Sequence, residues 1–154
     1  MAVVTAPARP QAERVALRKN MVDLRLAELR EGVWVRPDNL DRRVDGIITE
    51  QCTFFRCRYP DPAELVALLW DLPAWAEDAE RLHAELAEPT NLKSDFILIA
   101  EVVRHLRIDP YLPLRLLPTG WPGWELRERY IAFRDDFARR LREYSTGPSS
   151  VPAG

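Results

Sequence analysis

Metal and redox chemistry have little to work with in this sequence, which holds two cysteines and two histidines in 154 residues. Cys52 and Cys57 lie an odd number of positions apart in a run that reads as extended, so their side chains point to opposite faces. Neither a local disulfide nor a metal clip is expected. His83 and His105 have no cysteine or histidine at zinc-like spacing, and no metal site or cofactor is predicted. Nowhere do 18 apolar residues follow one another, which leaves no candidate membrane helix. The amino terminus also lacks a charged region before an apolar stretch, so a cytoplasmic chain away from membranes is expected. An excess of one charge is missing too. The formal net charge is -2, with 11 basic and 11 acidic residues in 1–72 and 11 and 13 in 73–154. Neither half is a basic footprint, so direct, tight DNA binding by this chain alone is not expected. There is no Gly-rich phosphate loop, no Gly-x-Ser-x-Gly and no His-Glu-x-x-His, and no catalytic residue is assigned.

What is present is a chain of ordinary globular composition, 47% hydrophobic and 30% charged. It is long enough for one domain with a good core or for two small ones. Met1 to Ala6 is a β-prone run ended by Pro7 and reads as a core strand, as expected of a chain that continues something upstream or has lost a preceding domain. From Pro10 to Glu31 the pattern predicts a helix with two stripes. One is Leu17, Met21 and Leu24. The other is Val15, Val22, Leu26 and Leu29, an interface candidate covered either by the carboxy-terminal half of the chain or by a second copy in a homodimer.

Gly32 reads as the helix C-cap, and Val33-Trp34-Val35-Arg36 alternates as a strand ended by Pro37. Ile47 to Tyr59 reads as a further strand, and Asp61-Pro62 as the cap and first turn of a helix over 63–70. Strand, helix, strand, strand, helix is most of a ferredoxin-like unit whose last strand is not visible. Beyond Pro73, Trp75, Ala79, Leu82 and Leu86 mark a helix with Glu77, Asp78, Glu80, Glu85 and Glu88 on its outer, solvated face. Ser94 reads as the cap of the next helix. That helix is apolar nearly all round, with only Glu101, Arg104 and His105 as a polar stripe, and belongs at the centre of a bundle. Leu126, Tyr130, Phe133, Phe137, Leu141 and Tyr144 predict a final amphipathic helix of about five turns. The tail from Ser145 is expected to be disordered. The fold class is thus α+β: a ferredoxin-like βαββα subdomain over 1–72 followed by a small helical subdomain over 73–144, with a tail over 145–154.

The organising stretch runs from Asp109 to Trp124, where four prolines and two glycines exclude regular helix. Leu112, Leu114, Leu116, Leu117, Trp121 and Trp124 nevertheless ask for burial, so the stretch is expected to be an ordered strap. Its pattern Asp-Pro-x-Leu-Pro-x-x-Leu-Leu-Pro-x-x-Trp-Pro-Gly, from Asp109 to Gly123, resembles the carboxy-terminal domain of the PaaX family of bacterial transcriptional regulators. Leu29-Arg30-Glu31-Gly32-Val33-Trp34-Val35-Arg36-Pro37-Asp38-Asn39-Leu40 resembles that family's middle domain, which is similar to small CRISPR-associated nucleases. The two motifs stand in the family's order and the resemblance covers roughly residues 1–144.

The resemblance implies an acyl-CoA effector, repression of aromatic or phenylacetate-type catabolic genes, and an amino-terminal winged helix. A winged helix is not expected within this chain, so the DNA-reading part of the resemblance is not carried over. The nucleases hold a metal on an aspartate at the end of the first strand, and Val3-Val4-Thr5-Ala6-Pro7 has no carboxylate, so nuclease activity is not expected either. An aryl-CoA carries phosphates and an apolar acyl group, which call for arginines beside aromatic walls. Arg104, Arg107 and Arg115 flank the strap, Tyr111, Trp121 and Trp124 are candidate walls, His105 lies on the neighbouring polar stripe, and Trp34 and Arg36 are assigned to the same cleft. The alternative is that Arg107 pairs with Asp109 and the tryptophans are core. Three readings follow: an effector-sensing and oligomerisation module of a PaaX-like regulator, a partner protein acting through protein contacts, and an enzyme of unrecognised type.

Overall fold

Short β-branched runs separated by one strongly helical stretch build the first part of the chain. The computed structural model describes residues 1–7, 10–41, 44 and 46–146. Its elements are β1 (Ala2–Val4), α1 (Gln11–Asp23), β2 (Ala27–Arg30), β3 (Val33–Val35), α2 (Ile47–Gln51), β4 (Cys52–Phe54), α3 (Pro62–Leu69), α4 (Leu72–Glu85), α5 (Leu92–Arg107) and α6 (Gly123–Thr146). The strands form one sheet in the order β2-β3-β1-β4, with every pair antiparallel. This is the α+β class expected, and the connectivity is a complete βαββαβ unit of ferredoxin type. Its core is Ala2, Leu17, Met21, Leu26, Trp34, Ile48 and Cys52.

The expected helix over 10–31 is divided. Leu26 N–H donates to the Met21 carbonyl and Arg25 N–H to that of Val22, while Arg25 takes φ +63°. This is a Schellman end in which arginine holds the left-handed position that glycine usually fills, so the stop carries no glycine signal. The chain then reverses into β2, and Gly32, at φ +75°, makes the hairpin turn to β3 instead of capping a helix. The stripe Val15, Val22, Leu26 and Leu29 is therefore not one helical face. Val15 and Val22 are exposed on α1, Leu26 is in the core, and Leu29 is on β2.

The expected strand over 47–59 is divided as well. Ile47–Gln51 is a short helix entered through Gly46 at φ +57°, with the Thr49 hydroxyl on the Gly46 carbonyl at 2.8 Å. Burial of Ile48 under the sheet overrides the β propensity of this run. Cys52–Phe54, inside the expected strand, is itself the last strand of the unit, and α3 lies beyond it; the elements the sequence did not reveal are β2 and α2. As predicted, Asp61 caps α3: its carboxylate accepts from the N–H groups of Ala63 and Glu64 at 3.0 and 3.1 Å.

The chain divides into two compact units, Met1–Ala74 with Arg107–Gly120, and Trp75–Leu106 with the chain from Trp121 onward. In the second, Trp75, Ala79, Leu82 and Leu86 are buried at the expected spacing on and just past α4. The start of α5 is capped by Asn91, whose side chain accepts the Ser94 N–H at 3.0 Å and donates to the Ser94 hydroxyl; Ser94 is the partner of the cap and not the cap. α5 is also not a helix covered all round, because Phe96, Ile97 and Val103 are exposed while Val102 and His105 are buried. Ser145 and Thr146, expected in the tail, end α6, and 147–154 lie outside the described residues.

Candidate functional site

The strap enters the first unit through two buried residues, Asp109 and Pro110, and a buried leucine, Leu112. The Asp109 carboxylate accepts the Tyr111 N–H at 2.8 Å, and Tyr111 is held at φ +51°. This turns the Tyr111 carbonyl toward Asn39, whose Nδ2 donates to it at 2.8 Å, and toward Arg36, whose Nη2 reaches it at 3.5 Å. The Arg36 fork is already engaged: Nη1 donates to the Leu24 carbonyl, Nε to that of Pro37 and Nη2 to the Asn39 side chain, each at 3.0 Å. A guanidinium on the last carbonyl of α1 also suits the negative end of that helix. Arg36 thus ties α1, β3 and the strap together. The Arg25 guanidinium lies over the Tyr111 ring at 5.2 Å.

Past Leu112 the strap comes to the surface. Leu114–Leu116 is a single 3-10 turn, Leu117 is extended behind Pro118 as that proline demands, and Leu114 is exposed, contrary to the expected burial. Arg115 is exposed on this turn. Arg107 meets Asp23 at 3.6 Å across the surface. Trp34 is in the core with the Arg18 guanidinium 5.4 Å from its ring, so it supplies no open wall.

In the second unit, Trp121, Trp75 and His105 form a buried stack, with ring centroids 4.5 Å and 4.4 Å apart. His105 Nε2 lies 3.1 Å from the Trp75 carbonyl, an acceptor only, so that nitrogen carries the proton. Trp124, expected to be buried, is instead 59% exposed on the first turn of α6, with the Arg127 guanidinium 5.5 Å from its ring. Arg104 is exposed on α5. Of the sequence-predicted residues, Arg36, Arg107, Tyr111 and Arg115 with buried Trp34 belong to the first unit, and Arg104, His105, Trp121 and Trp124 to the second.

Sequence reading missed Asn39, Arg25 and the buried pair of Asp95 with Arg140. Asp95 Oδ2 lies 2.6 Å from Arg140 Nη2, and Oδ1 accepts the Thr90 N–H and hydroxyl at 3.0 and 3.1 Å. Burial pushes this carboxyl up, but the Thr90 N–H and the Arg140 guanidinium outweigh it and hold its pKa below the usual carboxylate range. Asp95 was legible only as an acid in a first helical turn; nothing in its neighbourhood points to a partner on α6. Among the described residues, no three His, Cys, Asp or Glu side chains gather where a metal ion would sit. None of the described helices is long and apolar enough to cross a membrane.

These features define a class: a ferredoxin-type domain with a helical companion, carrying arginine and aromatic side chains around a clamped strap. Residues 1–68 match the sequence model of the PaaX protein central Cas2-like domain. Among solved structures, the chain is similar to the uncharacterized protein Rv0674 from Mycobacterium tuberculosis, with a TM-score of 0.81 and 41% identity over 90% of this chain. It spans 59% of the length of that protein. No curated protein gives a significant match.

Proposed function

We propose that this chain is the effector-sensing and oligomerisation body of a PaaX-like transcriptional repressor of phenylacetate-type catabolic genes, and that its effector is an aryl-CoA. The observation that carries the reading is the match of residues 1–68 to the PaaX central domain in a chain that goes on to hold the Asp109–Gly123 strap motif. The strap gives the reading its chemistry. Arg107 and Arg115 present exposed guanidiniums for phosphate, and half-buried Tyr111 presents a ring between them in sequence. In the second unit Arg104 and Trp124 offer the same pair of chemistries. Arg36 holds the Tyr111 carbonyl, while Trp34, His105 and Trp121 are buried within their own units and would act on a ligand only through the groups packed around them.

The test is a titration with phenylacetyl-CoA and, as control, acetyl-CoA, followed by tryptophan fluorescence and melting temperature. Saturating phenylacetyl-CoA at about 100 times Kd stabilises a folded binder by about 2.7 kcal/mol, a rise of several degrees. Arg107→Ala with Arg115→Ala should remove most of that rise. Unchanged fluorescence and melting temperature with phenylacetyl-CoA would sink the effector reading.

A further inference from the structure

Along α6 the apolar stripe outruns the core that covers it. Leu126 and Phe133 are buried, Phe137 is half-buried, Leu141 is 46% exposed and Tyr144 is 79% exposed. Facing the open end of this stripe, at the start of α5, stand Phe96 and Ile97, 62% and 57% exposed. Phe96 and Phe137 approach to 6.5 Å between ring centroids, and a groove of about 820 Å³ runs between the two helices. We propose that this groove is the surface on which a second copy of the chain docks, so that the regulator pairs through α5 and α6. The proposal rests on the oligomerisation reading above and gives that reading its surface.

Area argues for a second copy. Taking roughly 150–250 Å² for each whole aromatic side chain, and somewhat less for Leu141 and Ile97, the four exposed residues leave on the order of 400–500 Å² open. A stable interface covers about 800 Å² on each partner, of which about 60% is apolar, so the patch has the size of the apolar part of one partner's share. Shape argues the same way. A two-fold contact places a patch against itself and therefore needs protrusion and recess in one surface. Here Tyr144 and Phe96 are largely exposed while Phe137, which lines the same groove, is half-buried. Charge raises no obstacle, since Lys93 is the one charged side chain lining the groove and its aliphatic stem can lie along the apolar wall. A strongly basic partner would find nothing complementary in this lining, and an acidic one only the single ammonium of Lys93.

The experiment is sedimentation of the full chain over a wide concentration range, for wild type, Leu141→Asp, Ile97→Asp, Tyr144→Ser and, as a control on the α1 face, Val15→Asp. All four positions are solvent-exposed within their own unit, and circular dichroism with melting temperature checks that each variant folds. The expected result is a wild-type dimer, a dissociation constant weakened about 100-fold or more by Leu141→Asp and by Ile97→Asp, a smaller loss for Tyr144→Ser, and no change for Val15→Asp. A wild-type dimer that the groove variants leave intact would overturn this inference and leave the oligomerisation reading standing. A wild-type monomer at every concentration would overturn both.

Discussion

Asp95 shows how much a single buried carboxylate decides. An unpaired carboxylate there would be forced toward its neutral form, yet two bonds from Thr90 and the Arg140 guanidinium keep it ionised. Because its folded pKa is depressed, the stability it adds is complete above the unfolded value of about 4 and is lost as pH falls through the lower folded value. Melting temperature should therefore be level near neutral pH and fall below about pH 4. Asp95→Asn should cost about 2–3 kcal/mol at pH 7, at the low end for a broken buried pair because Arg140 keeps Asp136, and should flatten the acid limb. Thermal melts of both proteins between pH 7 and pH 3 check it; an unchanged acid limb in the variant would refute the assignment. The acid was readable in the sequence as a first-turn residue, whereas Arg140 is one of eleven basic residues in its half of the chain, with nothing local to single it out.

Elements whose signals are local were legible. The cap at Asp61 with Pro62, the 4-3-4 spacing from Trp75 to Leu86 and the stepping of α6 needed only periodicity and cap chemistry. The failures are elements whose end or type is set from a distance. α1 stops at an arginine in the left-handed region, and α2 is a helix built from Ile-Ile-Thr because Ile48 is needed in the core. The strap combines both cases, its prolines excluding helix locally while Arg36 and Asn39 decide where it is fastened. Arg36→Met should remove charge-assisted bonds to Leu24, Pro37 and Asn39 and destabilise the first unit by about 2–3 kcal/mol, less than their sum because the stem still packs. It should also speed limited proteolysis between Leu114 and Gly120, whereas Arg115→Met should change neither. Equal cleavage rates in wild type and Arg36→Met would show that the clamp does not hold the strap.

On the scale of the whole molecule, charge sets the expectation. With basic and acidic side chains almost balanced in both halves, the chain carries no excess of cations with which to release counterions from a duplex. The chain alone should therefore give no retarded band with a mixed-sequence duplex at about 10 μM protein and physiological salt, where the tighter non-specific binders, with Kd of about 10⁻⁶ M, would give one. Micromolar retardation that weakened steeply with added salt would contradict this.

The sequence alone determined the α+β class, the helices with a continuous apolar stripe, the proline-rich strap and the scarcity of metal-binding residues. Each follows from residue type and spacing along a few turns of chain. Only the tertiary structure decided that the strap's first residues are clamped while Leu114 and Arg115 face water, that His105 is buried against the Trp75 ring, and that Phe96, Ile97 and Leu141 remain open. Periodicity says that an element has an apolar face. Which part of that face is covered depends on elements far away in the chain, and no local pattern records where those come to rest.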